Sequence, residues 1–140
     1  MNLVTCFLQV ESYNAPMIRS RRSSAVRRSP CPIGCSLDLL GDRWTLLLIR
    51  DFFWGKSRYG EFATSPEEIP TNLLADRLAR LEQAGVIKRT PYQQNPPRYA
   101  YTLTRKGRDL QPVLAALVKW GKRHIPGTQT QDEIAAAGRA

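Results

Sequence analysis

The sequence has few of the residues on which many metal and catalytic sites depend. It contains three cysteines, Cys6, Cys31 and Cys35, and a single histidine, His124, within 140 residues. An odd, sparse set of cysteines does not form a disulfide framework and is typical of a reducing cytoplasm. One distant histidine does not complete a zinc site with Cys31 and Cys35. There is also no glycine-rich phosphate loop and no nucleophile–base pattern, so we expect neither an enzyme nor a bound cofactor or metal.

Long hydrophobic runs are also absent. No run approaches the roughly 20 apolar residues that a helix needs to cross a bilayer. The apolar stretch at residues 3–10 is short and follows no basic segment, so it is a poor signal peptide. The sequence therefore predicts a cytoplasmic protein with no membrane partner.

Acidic residues are outnumbered by basic ones, which points to a polyanionic partner. The chain has 21 lysines and arginines against 12 acidic residues, a net charge of +9 and a pI near 10. This balance favours nucleic acid first and an acidic membrane second. Residues 1–30, with the Arg/Ser-rich stretch 18–28, are predicted to be a disordered basic arm. The arm either adds non-specific phosphate contacts or has no role, and Met17 is an alternative start to Met1.

The stretch at residues 69–85 organises the rest of the chain. Leu74, Leu78 and Leu81 share one helical face, and short polar side chains occupy the opposite face. Pro70 suits a first helical position, and Gly85 suits the end of the helix. The pattern alone is that of any amphipathic helix, but its outer face has the small, polar and basic groups that suit a DNA major groove.

The segments before this helix predict two or three further helices. Residues 32–40 form a short helix, and Asp42 can cap a second one through residue 53. Ser57 can cap a third at residues 58–63, and residues 64–68 form a turn, in which we expect Glu67 to be solvated. Helix, tight turn and helix in this spacing indicate a helix-turn-helix.

The segment after the helix predicts a β-hairpin. Residues 86–92 and 98–103 have strand patterns, and the intervening residues 93–97 form a turn. A hairpin directly after a groove-binding helix is the wing of a winged helix. Lys88, Arg89 and Arg98 give it a charge suited to phosphates or to a minor groove.

The last helical pattern covers residues 105–124. Thr104 can cap this helix, and Pro112 should kink or divide it because proline lacks an N–H donor. Its apolar residues exceed what one packing face requires, which predicts a homodimer, with packing inside its own domain as the alternative. Residues 126–140 are predicted to be a flexible C-terminal tail.

Together these blocks resemble the HxlR-type family of bacterial winged helix-turn-helix transcriptional regulators. The predicted domain is residues 31–125, and the fold is mainly α with a small hairpin. The resemblance implies homodimers, joined through the first and last helices, that bind double-stranded DNA sequence-specifically as repressors or activators. It rests on Cys31-Pro32, residues 37–44, Ile69, Leu74, residues 76–78, Leu81-Glu82, residues 85–87, residues 96–98, Tyr101, Leu103-Thr104, Gly107 and Trp120-Gly121.

The candidate DNA contacts divide into two groups. Base edges on a pseudo-palindromic operator are assigned to Thr71, Asn72 and Ala75. The family pattern usually has Ser or Thr at the positions of Pro70 and Ala75, so Thr71 and Asn72 carry more of the base reading here. Phosphate or minor-groove contacts are assigned to Arg80, Lys88, Arg89 and Arg98. Arg77 is nearer the leucine stripe, and either a phosphate contact or a structural ion pair fits it.

Cys31 is a candidate redox sensor. In several relatives the cysteine before the proline senses oxidants or electrophiles, and a thiol near a helix start and several arginines can react as thiolate. The alternative is a small, partly buried residue at a dimer seam. A small-molecule or oxidant effector is therefore compatible with the sequence. The rival function is a winged-helix protein-interaction module without specific DNA binding.

Overall fold

The computed structural model describes residues 29–137, which form seven helices and one two-stranded sheet. The predicted mainly helical winged helix with a single hairpin is confirmed. Most of the predicted basic arm, including Cys6 and Met17, lies outside the described residues. In chain order the elements are α1 Pro32–Leu40, α2 Thr45–Phe53, α3 Tyr59–Ala63, α4 Thr71–Gln83, β1 Ile87–Gln93, β2 Arg98–Leu103, α5 Arg105–Arg108, α6 Gln111–His124 and α7 Gln131–Ala137.

The core forms where α2, α3 and α4 meet the start of β1. The predicted leucine stripe of α4 is confirmed, because Leu74, Leu78 and Leu81 are all at most 2% exposed. They join a cluster of buried apolar side chains from the neighbouring elements: Leu48, Ile49, Phe52, Phe62, Ile69, Val86 and Ile87. Burying one such side chain contributes about 1.5–3 kcal/mol, so the stripe fixes which face of α4 points outward.

Polar side chains cap the helices, though not always those that the sequence predicts. Asp42 accepts hydrogen bonds from the backbone N–H groups of Trp44 (2.9 Å) and Thr45 (3.1 Å), as expected of a helix cap. The prediction for Ser57 is wrong. The N–H groups of Ser57 and Arg58 instead donate to the Glu61 carboxylate, at 2.7 and 2.9 Å. A carboxylate at the third helical position reaches back to these donors better than a hydroxyl before the helix does.

Helix α4, at Thr71–Gln83, is slightly shorter than the predicted helix at residues 69–84, and Gly85 follows its end as predicted. Pro70 precedes the helix, and its carbonyl accepts the first helical hydrogen bond from Leu74 at 2.9 Å. Gly85 has φ +70°, a backbone conformation that residues with a Cβ rarely adopt, and the chain turns here from α4 into β1. The N–H of Val86 then donates to the carbonyl of Leu81 at 2.9 Å, so the hairpin follows α4 with almost no intervening chain.

The hairpin pairs β1 and β2 antiparallel, from Ile87 opposite Leu103 to Gln93 opposite Arg98. A third segment, not predicted from the sequence, joins its outer edge. Arg58 pairs with Ala100, and the N–H of Tyr101 donates to the carbonyl of Ser57 at 2.7 Å. The residues before α3 are therefore tied by backbone hydrogen bonds to the wing.

The predicted last helix at residues 105–124 is divided, as Pro112 predicts, into α5 and α6. Thr104 caps α5 by accepting from the N–H of Gly107 at 3.3 Å. Gly107 packs against the wing so closely that a Cβ there would lie 2.3 Å from the carbonyl oxygen of Val86. No side chain larger than hydrogen fits at this crossing.

The segment predicted to be a flexible tail, residues 126–140, includes a helix that the sequence did not predict, α7 at Gln131–Ala137, and residues 138–140 lie outside the described residues. The cause of this helix is a reciprocal cap. The N–H of Thr130 donates to Glu133 at 2.5 Å, and the N–H of Glu133 donates to the Thr130 hydroxyl at 3.4 Å. Lys122 of α6 also binds Glu133 at 2.9 Å. Among residues 29–137, no helix combines the length and hydrophobicity that crossing a membrane requires.

Candidate nucleic-acid interface

The outer face of α4 is open along its length. The three residues predicted to face bases, Thr71, Asn72 and Ala75, are all exposed and lie in the first two turns. Arg80 is exposed on the same helix and has no carboxylate partner among the described residues. The side chains at these positions are short or flexible, so nothing bulky prevents this face from entering a major groove.

Arg77 is in a different environment from its neighbours on α4. Its Nε lies 2.9 Å from Oδ1 of Asp42, the guanidinium also binds Asp76, and its side chain is only 15% exposed. Of the two roles left open by the sequence, this geometry favours the structural ion pair. The Asp42 carboxylate raises the pKa of Arg77 above its ordinary value.

The same pair explains the acidity of Asp42. Burial raises the pKa of Asp42, but hydrogen bonds from Thr45, from the Trp44 backbone and from Arg77 outweigh it and lower the pKa to about 2. Asp42 is therefore ionised at neutral pH, where it both caps α2 and holds α4. One carboxylate thus connects the start of the first core helix to the middle of the outward-facing helix.

The wing extends the positive surface beyond α4. Lys88, Arg89 and Arg98 are all exposed, as the sequence predicts for cations on a hairpin. Arg89 lies 3.2 Å from Glu82 of α4, and its guanidinium stacks 4.8 Å from the ring centre of Tyr99. Within residues 29–137, Lys88 and Arg98 are in no salt bridge, so both charges remain available to an anion.

A buried polar network, which the sequence does not predict, holds the turn before α4. Asp51 of α2 is 1% exposed and accepts from Lys56 at 3.0 Å, from Arg50 at 2.8 Å and from the hydroxyl of Ser65. The expectation that Glu67 is solvated is wrong, because Arg50 donates to both of its oxygens, at 2.6 and 2.8 Å. This pairing holds the helix-turn-helix turn against α2.

The pKa directions within this network agree with its geometry. The hydrogen bonds from Arg50 lower the pKa of Glu67 below its ordinary value. Burial lowers the pKa of Arg50, but its bonds to Glu67 and Asp51 outweigh that effect and raise it. A bidentate arginine–carboxylate pair such as Arg50 and Glu67 has a fixed geometry. The local sequence of the turn does not predict this pair, because Arg50 lies 17 positions before Glu67.

Cys31 precedes α1 and is exposed, whereas Cys35 is partly buried. The Cys35 thiol donates to the carbonyl of Ser29 at 3.2 Å, and the N–H of Cys31 donates to the Ser29 hydroxyl at 3.1 Å. Both thiols are free, and Cys31 is the one that a soluble oxidant reaches directly.

Helices α1 and α6 bear a large exposed apolar surface. Neither helix contains a fully buried residue, and Leu117 and Trp120 are 47% and 58% exposed. Several large apolar side chains exposed on the same helices are typical of a protein interface. We call this exposed apolar surface the terminal-helix surface, and its members are Ile33, Leu37, Val113, Leu117, Val118 and Trp120.

Comparison with known proteins places these features in a family context. A family model described as HxlR-like helix-turn-helix matches residues 39–129. The chain is 40% identical to an HTH-type transcriptional regulator of Mycobacterium bovis over 94 aligned residues. The alignment covers 67% of this chain and 59% of that protein. The HTH-type regulator YdeP of Bacillus subtilis is 36% identical over 110 residues, with 79% and 84% covered. The chain thus spans about three fifths of the mycobacterial relative.

Solved structures show the same arrangement. The redox regulator HypR in its reduced form is 32% identical, with a TM-score of 0.63 over 69% of this chain and 95% of that chain. The reduced form of the transcriptional regulator YodB from Bacillus subtilis is 31% identical, with a TM-score of 0.59 over 72% of this chain and 100% of that one.

Proposed function

Because the chain belongs to the HxlR-like helix-turn-helix family of transcriptional regulators, we propose that it binds a specific operator in double-stranded DNA as a homodimer. Members of this family are regulators of transcription and not enzymes. In this proposal α4 enters the major groove, and the hairpin contacts the adjacent backbone or minor groove. Thr71, Asn72 and Ala75 face base edges, while Arg80, Lys88, Arg89 and Arg98 contact phosphates or the minor groove.

The observation that carries this proposal is the division of α4 into two faces. Its leucines are buried in the core, and its polar and basic residues are exposed beside three cations of the wing. A major groove is wide enough for one helix, and its base edges are read by short polar side chains in the first turns. The excess of basic over acidic residues across the chain supports the same partner.

The homodimer is supported by the terminal-helix surface. Two copies joined through α1 and α6 would bury apolar side chains that a lone copy leaves exposed in solvent. A two-fold dimer then reads two half-sites about 34–36 Å apart, one turn of DNA, which is why the operator is expected to be pseudo-palindromic.

Selection from a pool of random duplexes tests DNA recognition. The purified chain is first bound to heparin and eluted with salt, and is then used to select sequences over several rounds. The proposal expects enrichment of one inverted repeat. Elution from heparin without any enriched sequence would instead support a protein-interaction module and would overturn the operator proposal.

We also propose that oxidation of Cys31 changes operator affinity. The support is its exposure at the start of α1 and the similarity to HypR, which is described as a redox regulator. Gel shifts with reduced and diamide-treated protein test it, with Cys31→Ser and Cys35→Ser as matched variants. An altered affinity that Cys31→Ser abolishes and Cys35→Ser retains supports the proposal, and equal affinity of the treated and untreated wild type contradicts it.

A further inference from the structure

A basic, tyrosine-lined cleft lies between α3 and the hairpin. It has a volume of about 340 Å³. Arg58, which precedes α3, and Arg98, which begins β2, both line it. Tyrosine rings form much of the remaining wall: Tyr59, Tyr92, Tyr99 and Tyr101.

A backbone bridge and a side-chain hydrogen bond fix the position of this cleft next to α4. Arg58 pairs with Ala100 of β2, so the α3 side and the wing side of the cleft are held together. The hydroxyl of Tyr59 donates to the carbonyl of Thr71, the first residue of α4, at 2.9 Å. The cleft is therefore adjacent to the end of α4 at which the base-reading residues lie.

Arg58 is positioned in the cleft by stacking on an aromatic ring, without a salt bridge among the described residues. Its guanidinium carbon lies 4.8 Å from the ring centre of Tyr92, a cation–π distance. The Glu61 carboxylate accepts from the backbone N–H groups of Ser57 and Arg58, and these hydrogen bonds, with a smaller contribution from the Arg58 charge, lower the pKa of Glu61. In the described part of the chain Arg58 forms no salt bridge, so its guanidinium N–H groups remain available to an anion.

We propose that this cleft binds one backbone phosphodiester of the operator, with Arg58 as a phosphate-contacting residue that Tyr92 orients. The inference rests on the proposed function and adds a residue to it that the helix and wing patterns do not indicate. A strand that leaves the major groove at the start of α4 and passes towards the wing crosses this cleft. Arg58 on one wall and Arg98 on the other then contact the same stretch of backbone.

The physical reason is preorganisation. A planar guanidinium that already lies on an aromatic ring loses little rotamer entropy when it binds phosphate, and its parallel N–H groups fit two phosphate oxygens. Because a phosphate contact carries no sequence information, Arg58 strengthens binding to every duplex alike and fixes the register in which α4 meets the bases.

The test is a salt titration of duplex binding by fluorescence anisotropy. Each phosphate contact contributes about 0.9 to the slope of log K against log salt concentration, so Arg58→Ala is expected to flatten the slope by about one unit. The loss of affinity should be the same on selected and random duplexes. The charge-matched control is Arg123→Ala in the last turn of α6, which should leave the slope unchanged. Tyr92→Leu should weaken binding and retain the slope, because the arginine charge remains.

A methylphosphonate scan separates contact from a folding effect. Single phosphates of the duplex are replaced with neutral methylphosphonates. At one position the replacement should weaken binding of the wild type but cause no further loss of affinity in Arg58→Ala. A slope and scan of Arg58→Ala identical to those of the wild type would overturn this inference and leave the proposed function intact. If the wild type binds no duplex in a salt-dependent manner, both are overturned.

Discussion

Arg77, in the middle of α4, lies 2.9 Å from the carboxylate of Asp42, the residue that caps α2. The pair joins the helix predicted to read DNA to the first helix of the core. It also removes from the exposed face of α4 a cation that a count of charges on this helix would assign to phosphate contact. Arg80, one turn further along the same helix, is instead exposed and forms no salt bridge with a carboxylate within residues 29–137. Two arginines on one helix therefore have different roles.

Arg77→Ala should affect stability and Arg80→Ala should affect DNA binding, although both remove one positive charge from the same helix. Loss of Arg77 breaks a partly buried ion pair and should lower the free energy of unfolding by about 1–2 kcal/mol while leaving the salt slope of DNA binding unchanged. Loss of Arg80 should leave stability unchanged and flatten that slope by about one unit. Urea denaturation and salt titration measure the two effects. A flattened slope for Arg77→Ala would show that Arg77 contacts phosphate.

The Asp42 cap should make stability depend on pH in the acid range. The pKa of Asp42 is lowered from 3.8 to about 2 in the folded protein. Its contribution is therefore complete above about pH 4 and is lost as the pH falls towards 2. Asp42→Asn keeps an amide oxygen that can cap the helix but cannot ionise. The stability difference between wild type and Asp42→Asn, from urea midpoints at pH 6 to 2.5, should shrink with acidification. A constant difference would contradict the assignment.

The carboxylate of Asp51 should be among the most sensitive polar groups in the protein. It is 1% exposed and binds Arg50, Lys56 and Ser65, so its removal takes away an acceptor shared by three donors and the carboxylate that balances two cations. Asp51→Ala is expected to cost about 3–5 kcal/mol. Asp109→Ala, at an exposed position after α5, should change stability by no more than about 0.5 kcal/mol. Chemical denaturation compares them, and equal losses in the two variants would show that the network contributes little.

The terminal-helix surface should determine the oligomeric state. Leu117→Glu places a charge on this apolar surface and is expected to yield a monomer, because an unpaired carboxylate is costly to bury. Lys119→Glu, on the same helix but already charged, should leave a dimer. Sedimentation equilibrium gives the masses. A wild type that is monomeric at micromolar concentration would remove the basis for reading two half-sites.

Local patterns predicted the elements that rest on local physics. The leucine spacing of α4, the turn chemistry between the strands and the missing N–H of Pro112 each gave the correct element. What the sequence missed depends on residues far apart in the chain or on reciprocal caps. Arg50 and Glu67 are 17 positions apart, and Arg58 pairs with Ala100 across the wing. The signal for α7 was present, since Thr130 and Glu133 have the spacing of a capping box.

In the candidate site, too, the features set by local patterns were predicted from the sequence and those set by distant residues were not. Exposure of Thr71, Asn72 and Ala75 followed from the burial of the leucines, because a helix with one buried face must expose the other. The pairing of Arg77 did not follow, because it requires Asp42 to lie against the middle of α4. The tyrosine-lined cleft was likewise not predictable from the local pattern, since it combines residues from α3 and from both strands of the hairpin.

The central claim is that the outer face of α4 reads base edges, and Asn72→Ala tests it most directly. Binding is measured on the selected operator and on duplexes with every single-base substitution within one half-site. The account predicts a loss of about 1–3 kcal/mol on the operator and relaxed discrimination at one base pair only, with Gln83→Ala at the far end of α4 behaving as wild type. Unchanged discrimination at every base pair in Asn72→Ala would contradict it.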